Sequence, residues 1–176
     1  RKMSLGLRIV RYIVREAQKR GLKQRLQDQA WEEAATFIRA NWSRDCEFFE
    51  DWWKIREHTI KQAKCPGLYL EFGVFSGKTI NFFADILREE YPGKKIYGFD
   101  NFKGLTEPWN GFGLPAGFFD RAGSRPKVRD NVDLIVGDIE DTLPAFLASV
   151  KEPISFVHID TDTYTPCRQV LEQIKP

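Results

Sequence analysis

Leu68-Tyr69-Leu70-Glu71-Phe72-Gly73-Val74-Phe75-Ser76-Gly77-Lys78-Thr79 decides how the rest of the chain is read. Its first five residues are mostly apolar and suit a buried strand. Gly73, Ser76 and Gly77 carry a turn, and Thr79 to Leu87 continues with helical spacing. Strand, tight glycine-rich loop and helix, in that order, form the unit with which a doubly wound α/β sheet opens a crevice to a nucleotide-like ligand. Glycines let the backbone approach a ligand closely, and the helix N-terminus offers free amides. Glu71 narrows the ligand. A carboxylate at the end of a buried strand is costly without a partner. It repels a pyrophosphate and accepts hydrogen bonds from an ammonium or a hydroxyl. Gly73 and Gly77 also enclose only three residues, too few for a G-x-x-x-x-G-K-[ST] phosphate cradle, although Gly77-Lys78-Thr79 copies its end.

Upstream the pattern is helical. Leu5, Ile9, Tyr12 or Ile13, and Ala17 recur at helical spacing up to about Gly21, with Arg8, Arg11, Arg15, Lys19 and Arg20 among them. A helix packed on the domain with its charges in water is the plain reading, and a basic helix on a membrane or RNA the other. A second helix is expected over Gln27 to Ala40, with Trp31, Ala34 and Ile38 on one stripe, and a third from about Cys46 to Lys64. Phe48, Phe49, Trp52 and Trp53 crowd the third and read as core, subunit contact or border of a substrate pocket. His58 reads as a surface or packing residue. Cys65-Pro66-Gly67 ends the helical part, which divides the chain into a segment 1–65 and an α/β core 66–176.

Downstream, Lys95 to Asp100 is a second strand, Val132 to Val136 a third and Ile154 to Asp160 a fourth. Each delivers a carboxylate to its end. Asp100 is placed to hold the two hydroxyls of a ribose, with helix capping as the bland alternative. Asp138 is placed to accept from an adenine amino group, and Asp141-Thr142 to cap the next helix. Asp160 and Asp162 suit a hard divalent cation, and either suits a base; in extended chain they point opposite ways. His158 shares the facing of Asp160 and reads either as a proton carrier or as a buried hydrogen-bonded residue. The connection Asn101 to Asn131 has no clean periodicity, and its aromatics and glycines mark a functional loop that covers an acceptor. Arg121, Arg125, Lys127 and Arg129 make its end basic, as a solvated face or toward an anionic substrate.

Bulk numbers bound the rest. The chain has 176 residues and a net charge of +2, enough for one α/β domain and no general case for nucleic acid. Its three cysteines, Cys46, Cys65 and Cys167, form no C-x-x-C pair, which fits a reducing, cytoplasmic setting. No apolar run is long enough to span a membrane, and no secretory leader is visible. The chain opens on Arg1 and stops at Lys175-Pro176 just after a helix has begun, so it reads as a fragment.

Tyr69 to Gly77 resembles the first motif of a class I S-adenosylmethionine-dependent methyltransferase. Phe99-Asp100-Asn101-Phe102-Lys103-Gly104-Leu105 resembles the second-strand signature of the macrocin O-methyltransferase family. Gly137 to Pro144 and His158 to Tyr164 resemble its next two signatures, in the expected order over Pro66 to Pro176. The resemblance implies a Rossmann-like, doubly wound α/β fold with N-terminal helices. It implies that Glu71, Gly73, Val74, Ser76 and Gly77 surround the methionine moiety. Asp100 and Asn101 then take the ribose, and Asp138 and Ile139 the adenine. Asp160 becomes the metal-linked or basic carboxylate, with Asp162 as a further Mg2+ ligand or proton acceptor beside His158. Relatives continue into a strand with an Asp-Asp pair that completes the metal site, so the final strands are expected to be missing from this chain.

The function implied is methyl transfer to a hydroxyl of a small molecule, such as a sugar of a natural product, with Mg2+. Self-association through the N-terminal helices is the expected protein contact; neither membrane nor nucleic acid is expected as a partner. Two rivals stand. An NAD-dependent oxidoreductase is disfavoured by Glu71 and by the absence of G-x-G-x-x-G. A non-catalytic interaction protein on the same fold is disfavoured by the intact cofactor-facing residues.

Overall fold

Residues 5–42 and 47–175 are described by a computed structural model. The chain forms two compact units, 1–48 and 49–176. The sequence boundary at 65/66 therefore falls inside the second unit.

In the first unit, α1 (Leu5–Asn41) is one helix of 37 residues, where two were expected. The helical spacing of the first is expected to end at about Gly21. A glycine costs only about 1 kcal/mol against alanine, and Leu22, Lys23, Gln24, Arg25 and Leu26 behind it are strong helix formers. Side-chain bonds one turn apart, Gln24–Asp28 and Gln29–Glu33, both 2.8 Å, support the second half. Trp31 and Ile38 of the expected stripe are exposed, Trp31 at 67%. The side chains of Leu5, Arg8, Ile9, Ile13, Arg15, Ala17, Lys19 and Arg20, and Cys46 altogether, lie outside the described residues.

The second unit opens with α2 (Trp52–Lys61), shorter than the helix expected over Cys46 to Lys64. Asp51 fixes its start, accepting from Trp53 N at 2.8 Å. Of the four crowded aromatics, Phe48 and Trp52 are exposed. Trp53 instead packs edge-on to Phe82, ring centroids 4.9 Å apart, beneath the Lys78 ammonium. Then follow β1 (Leu68–Phe72), α3 (Lys78–Glu90), β2 (Ile96–Asp100), β3 (Val132–Val136), α4 (Ile139–Ser149), β4 (Ile154–Ile159) and α5 (Tyr164–Ile174).

The four strands form a parallel sheet in the order β3-β2-β1-β4. Both faces are covered, which is why β1 is apolar nearly throughout and buried at all five positions. Side chains alternate between two cores. Tyr69, Ile96, Val132 and Phe156 face α3 with Phe83 and Leu87, and Ile60 of α2 joins them. Leu68, Leu70, Phe72, Phe99 and Val157 face the other way, with Leu143 of α4 and Val170 of α5. Each fully buried large apolar side chain stabilises the fold by roughly 1.5–3 kcal/mol.

One helix start differs from expectation. Asp138, not Asp141-Thr142, is the N-cap of α4. Asp141 N and Thr142 N donate to the Asp138 carbonyl at 3.1 and 3.0 Å, so the first turn closes earlier than the capping residues indicate.

Candidate functional site

The chain builds β1, β2 and β3 outward in one direction, then returns to lay β4 on the other side of β1. Where the direction reverses, loops leaving neighbouring strands separate and a crevice opens at the carboxyl ends. A cleft of about 670 Å³ lies there, within the range of small-molecule sites. Gly73 and Phe75 line it from β1; Asp100, Asn101 and Phe102 from β2; Gly137, Asp138 and Ile139 from β3; Asp160, Thr161 and Asp162 from β4. Thr165, Pro166 and Gln169 of α5 and parts of the connection 101–131, including Lys103, Glu107, Phe119 and Arg121, complete it.

Gly73 is where the two strand ends meet. Its φ is +89°, and a Cβ there would collide with the Asp160 carbonyl oxygen. Gly73 N donates to Phe99 O at 2.9 Å, and Asp160 N donates to Phe72 O at 2.8 Å, so the three loops leave the sheet tied together. Asp100 secures the glycine turn from β2. Its Oδ2 accepts from Val74 N at 2.8 Å and Phe75 N at 2.7 Å, and its Oδ1 from Phe102 N at 2.7 Å. Much of its hydrogen-bonding capacity is thus spent inside the protein, although it still borders the cleft. Asn101 Nδ2 donates to Asp138 Oδ1 at 2.9 Å and couples the ends of β2 and β3.

Among the described residues, five non-glycine residues have positive φ: Phe75, Phe102, Phe119, Ala122 and Asp162. Four of them line the cleft. Bulky side chains rarely adopt this conformation, and such strain concentrates where a surface must be held in one shape. Phe75 and Phe119 hold each other edge-on at 5.3 Å, with the Arg121 guanidinium 5.6 Å above the Phe75 ring.

Glu71 and His158 sit differently. They are register partners on β1 and β4, on the face covered by α3, and neither lines the cleft. Glu71 is fully buried; His158 Nδ1 lies 3.4 Å from its Oε2 without forming a hydrogen bond of good geometry. Burial pushes the Glu71 carboxyl above its ordinary range, against the pull of His158 and, more weakly, of Arg56. Phe83 closes the pair from α3, its ring edge-on to His158 at 5.1 Å. Val74, Ser76 and Gly77 also stay outside the cleft lining; Gly77 instead starts α3 against Pro126.

Asp160 is exposed at the mouth. Asp162 has its carboxyl pushed up by burial and then by the charge of Asp160. Among the described residues no group of three or more His, Cys, Asp or Glu is arranged to hold a metal ion.

The basic end of the connection divides. Arg129 grips Asp85 through two bonds of 2.8 Å, Arg125 and Lys127 are solvated, and Arg121 reaches the cleft. Glu107 and Gln169 gave no local signal in the sequence, since each gains its place from chain far away.

Residues 70–176 match the family described as "Methyltransferase domain". The solved structure of CalS11, a calicheamicin methyltransferase, is similar with a TM-score of 0.52 and 25% identity, over 68% of this chain and 57% of that one. The apo structure of CalS11, described as a TDP-rhamnose 3'-O-methyltransferase of calicheamicin biosynthesis, gives 0.50 and 26% over 69% and 57%. The chain thus spans little more than half the length of these proteins. No curated protein matches it.

Proposed function

The chain belongs to the methyltransferase-domain family, and from that premise we propose that the whole protein transfers a methyl group from S-adenosylmethionine to a hydroxyl of a small molecule. The observation that carries the reading is the cleft at the switch point, where one glycine turn and the carboxylates Asp100, Asp138 and Asp160 converge from four adjacent strands. Its acid-rich wall suits a cationic sulfonium and ribose hydroxyls and opposes a pyrophosphate. When bound, the cofactor supplies an electrophilic methyl group. The backbone at Gly73 and Phe75 supports its methionine side, Asp100 its ribose and Asp138 with Ile139 its adenine. Glu71 and His158 lie behind this surface and back it by packing. Asp160, exposed at the mouth of the cleft, is the proposed general base. The remaining work is alignment of donor and acceptor in line.

A sugar hydroxyl is the proposed acceptor, supported by the description of CalS11; the macrocin subgroup rests on the four sequence motifs. Mg2+ fits in part. Magnesium takes one or two carboxylates with water and substrate, and Asp160 and Asp162 offer two on one cleft. A bound cation there would lower the acceptor hydroxyl's pKa. No helix among the described residues is long and apolar enough to cross a membrane. Cys65 and Cys167 are free, which supports a reducing, cytoplasmic setting. The exposed Leu22, Leu26, Trp31 and Phe37 of α1 support self-association.

Calorimetry of the full-length protein with S-adenosylhomocysteine, with and without magnesium, tests the reading. Binding of that nucleoside and not of NADH is expected; no binding in either condition sinks it.

A further inference from the structure

The connection 101–131 behaves as a strap over the cleft. At its far end it is fixed to α3: Asn81 Nδ2 donates to Lys127 O at 3.0 Å, Arg129 N to Asn81 Oδ1 at 2.9 Å, and Asn131 Nδ2 to Ala84 O at 2.8 Å. Its middle is paired to itself, Leu105 N to Phe118 O at 2.9 Å and Gly117 N to Leu105 O at 2.8 Å. That pairing is internal and does not fix the strap to the opposite wall. Glu107 does. Its Oε1 accepts from Thr165 N at 2.8 Å and its Oε2 from Thr165 Oγ1 at 2.7 Å, across 58 residues of chain.

Thr165 belongs to the first turn of α5, whose own N-cap, Thr163, makes no side-chain capping bond. The helix therefore takes a cap from the strap, where a carboxylate also meets the positive end of the helix. These bonds hold the Glu107 carboxyl below its ordinary range, the Thr165 amide first. Glu107 lines one wall of the cleft and Thr165 the other, with the Asp160–Asp162 turn beside them. Asp162 in that turn has φ of 62° and needs its surroundings to hold it.

We infer that Glu107 is a positioning residue, a latch that clasps the strap to α5 and so fixes both the width of the cleft and the turn carrying Asp160 and Asp162. Removing it frees the near half of the strap and the start of α5 together. Its ligand readout rests on the methyltransferase reading above; its structural readout does not.

The test compares the full-length protein with Glu107→Ala, Glu107→Gln and Thr165→Val, by calorimetry with S-adenosylhomocysteine and by amide hydrogen exchange. Glu107→Ala should weaken binding by about tenfold or more and speed exchange in residues 104–118 and 161–168 alike. Glu107→Gln, whose amide oxygen still accepts from Thr165 N, should restore most of the affinity. Thr165→Val, which keeps the amide and removes the hydroxyl, should give a smaller change of the same kind, and serves if Glu107→Ala fails to fold. Faster exchange at 161–168 alone, with affinity unchanged, makes Glu107 a helix cap and overturns the latch. A wild-type protein that binds no S-adenosylhomocysteine sinks the methyltransferase reading, and the exchange comparison then tests the latch by itself.

Discussion

β1 and β4 end side by side, yet they present their ionisable groups in opposite ways. On β1 the carboxylate, Glu71, is sealed under α3, and two residues later a glycine reaches the cleft. On β4 the imidazole, His158, is largely buried beside Glu71, and two residues later the carboxylate, Asp160, reaches the cleft. The same residue types, one pleat repeat apart, are either buried in the core or open to the cleft. Position relative to the end of the sheet decides which, because one step inside it the neighbouring helix covers the side chain and one step outside it nothing does.

The sharpest way to break this comparison is at the contact between the two strand ends. Gly73→Ala adds a methyl against the Asp160 carbonyl at a φ of +89°. Gly113 also has positive φ, +68°, but a Cβ there meets nothing within 4 Å. Gly113→Ala should cost about 1 kcal/mol from conformation alone. Gly73→Ala should cost about 3 kcal/mol, since backbone cannot yield as a side chain does, and should abolish S-adenosylhomocysteine binding. Urea unfolding of both variants measures the difference. Equal losses would mean that the junction of β1 and β4 does not shape the site.

Next comes the division between chemistry and packing. Asp160→Asn should lower kcat by about 100-fold or more while changing unfolding free energy by less than about 0.5 kcal/mol, as for an exposed residue. Glu71→Gln should do the reverse, with kcat within a few-fold of wild type and an altered pH dependence of stability. Full turnover in Asp160→Asn removes that residue from the role of base.

The parts of this arrangement that were legible in the sequence are those set by local periodicity. Leu68–Phe72 and Val132–Val136 are short apolar runs bounded by turn residues, and they are the strands found. That Asp100, Asp138 and Asp160 stand near strand ends could likewise be read off directly. What failed depended on competition or distance. Gly21 looked like a stop but was outweighed by its neighbours in α1. Asp141-Thr142 looked like a cap, but the backbone closed its turn on Asp138. That α3 passes over Glu71 and His158 carries no mark in the local sequence either, since Phe83 reaches the pair from another element. Glu107 carries no local signal at all, since its partner, Thr165, lies in another element.

The buried pair also predicts a pH signature. Burial raises the Glu71 carboxyl above its ordinary 4.5. An acid raised in the folded state contributes stability that is fully present below its unfolded pKa and is lost as pH rises through the folded one. Glu71→Gln cannot ionise. Its stability relative to wild type should therefore improve as pH climbs above the ordinary carboxyl range, with a slope no steeper than about 1.4 kcal/mol per pH unit, the limit for one proton. Denaturant midpoints across that climb in pH measure it. A flat difference would mean that Glu71 is no more reluctant to ionise in the fold than in the unfolded chain.

The smallest effect belongs to an ion pair that water reaches. Arg129 and Asp85 make two bonds of 2.8 Å, better geometry than Glu71 and His158 achieve, but each side chain is nearly half exposed. Arg129 holds the Asp85 carboxyl below its ordinary range, so this pair's contribution is present above the unfolded pKa of Asp85 and is lost as pH falls, opposite in sign to Glu71. Solvent screens it, and side-chain entropy offsets much of the rest. Arg129→Ala should shift the denaturant midpoint slightly at low salt and not measurably at about 1 M salt, where the Debye length is about 3 Å. A shift that survives high salt would make the pair a structural clamp on the far end of the strap, and exposure would then no longer separate the two kinds of charge in this molecule.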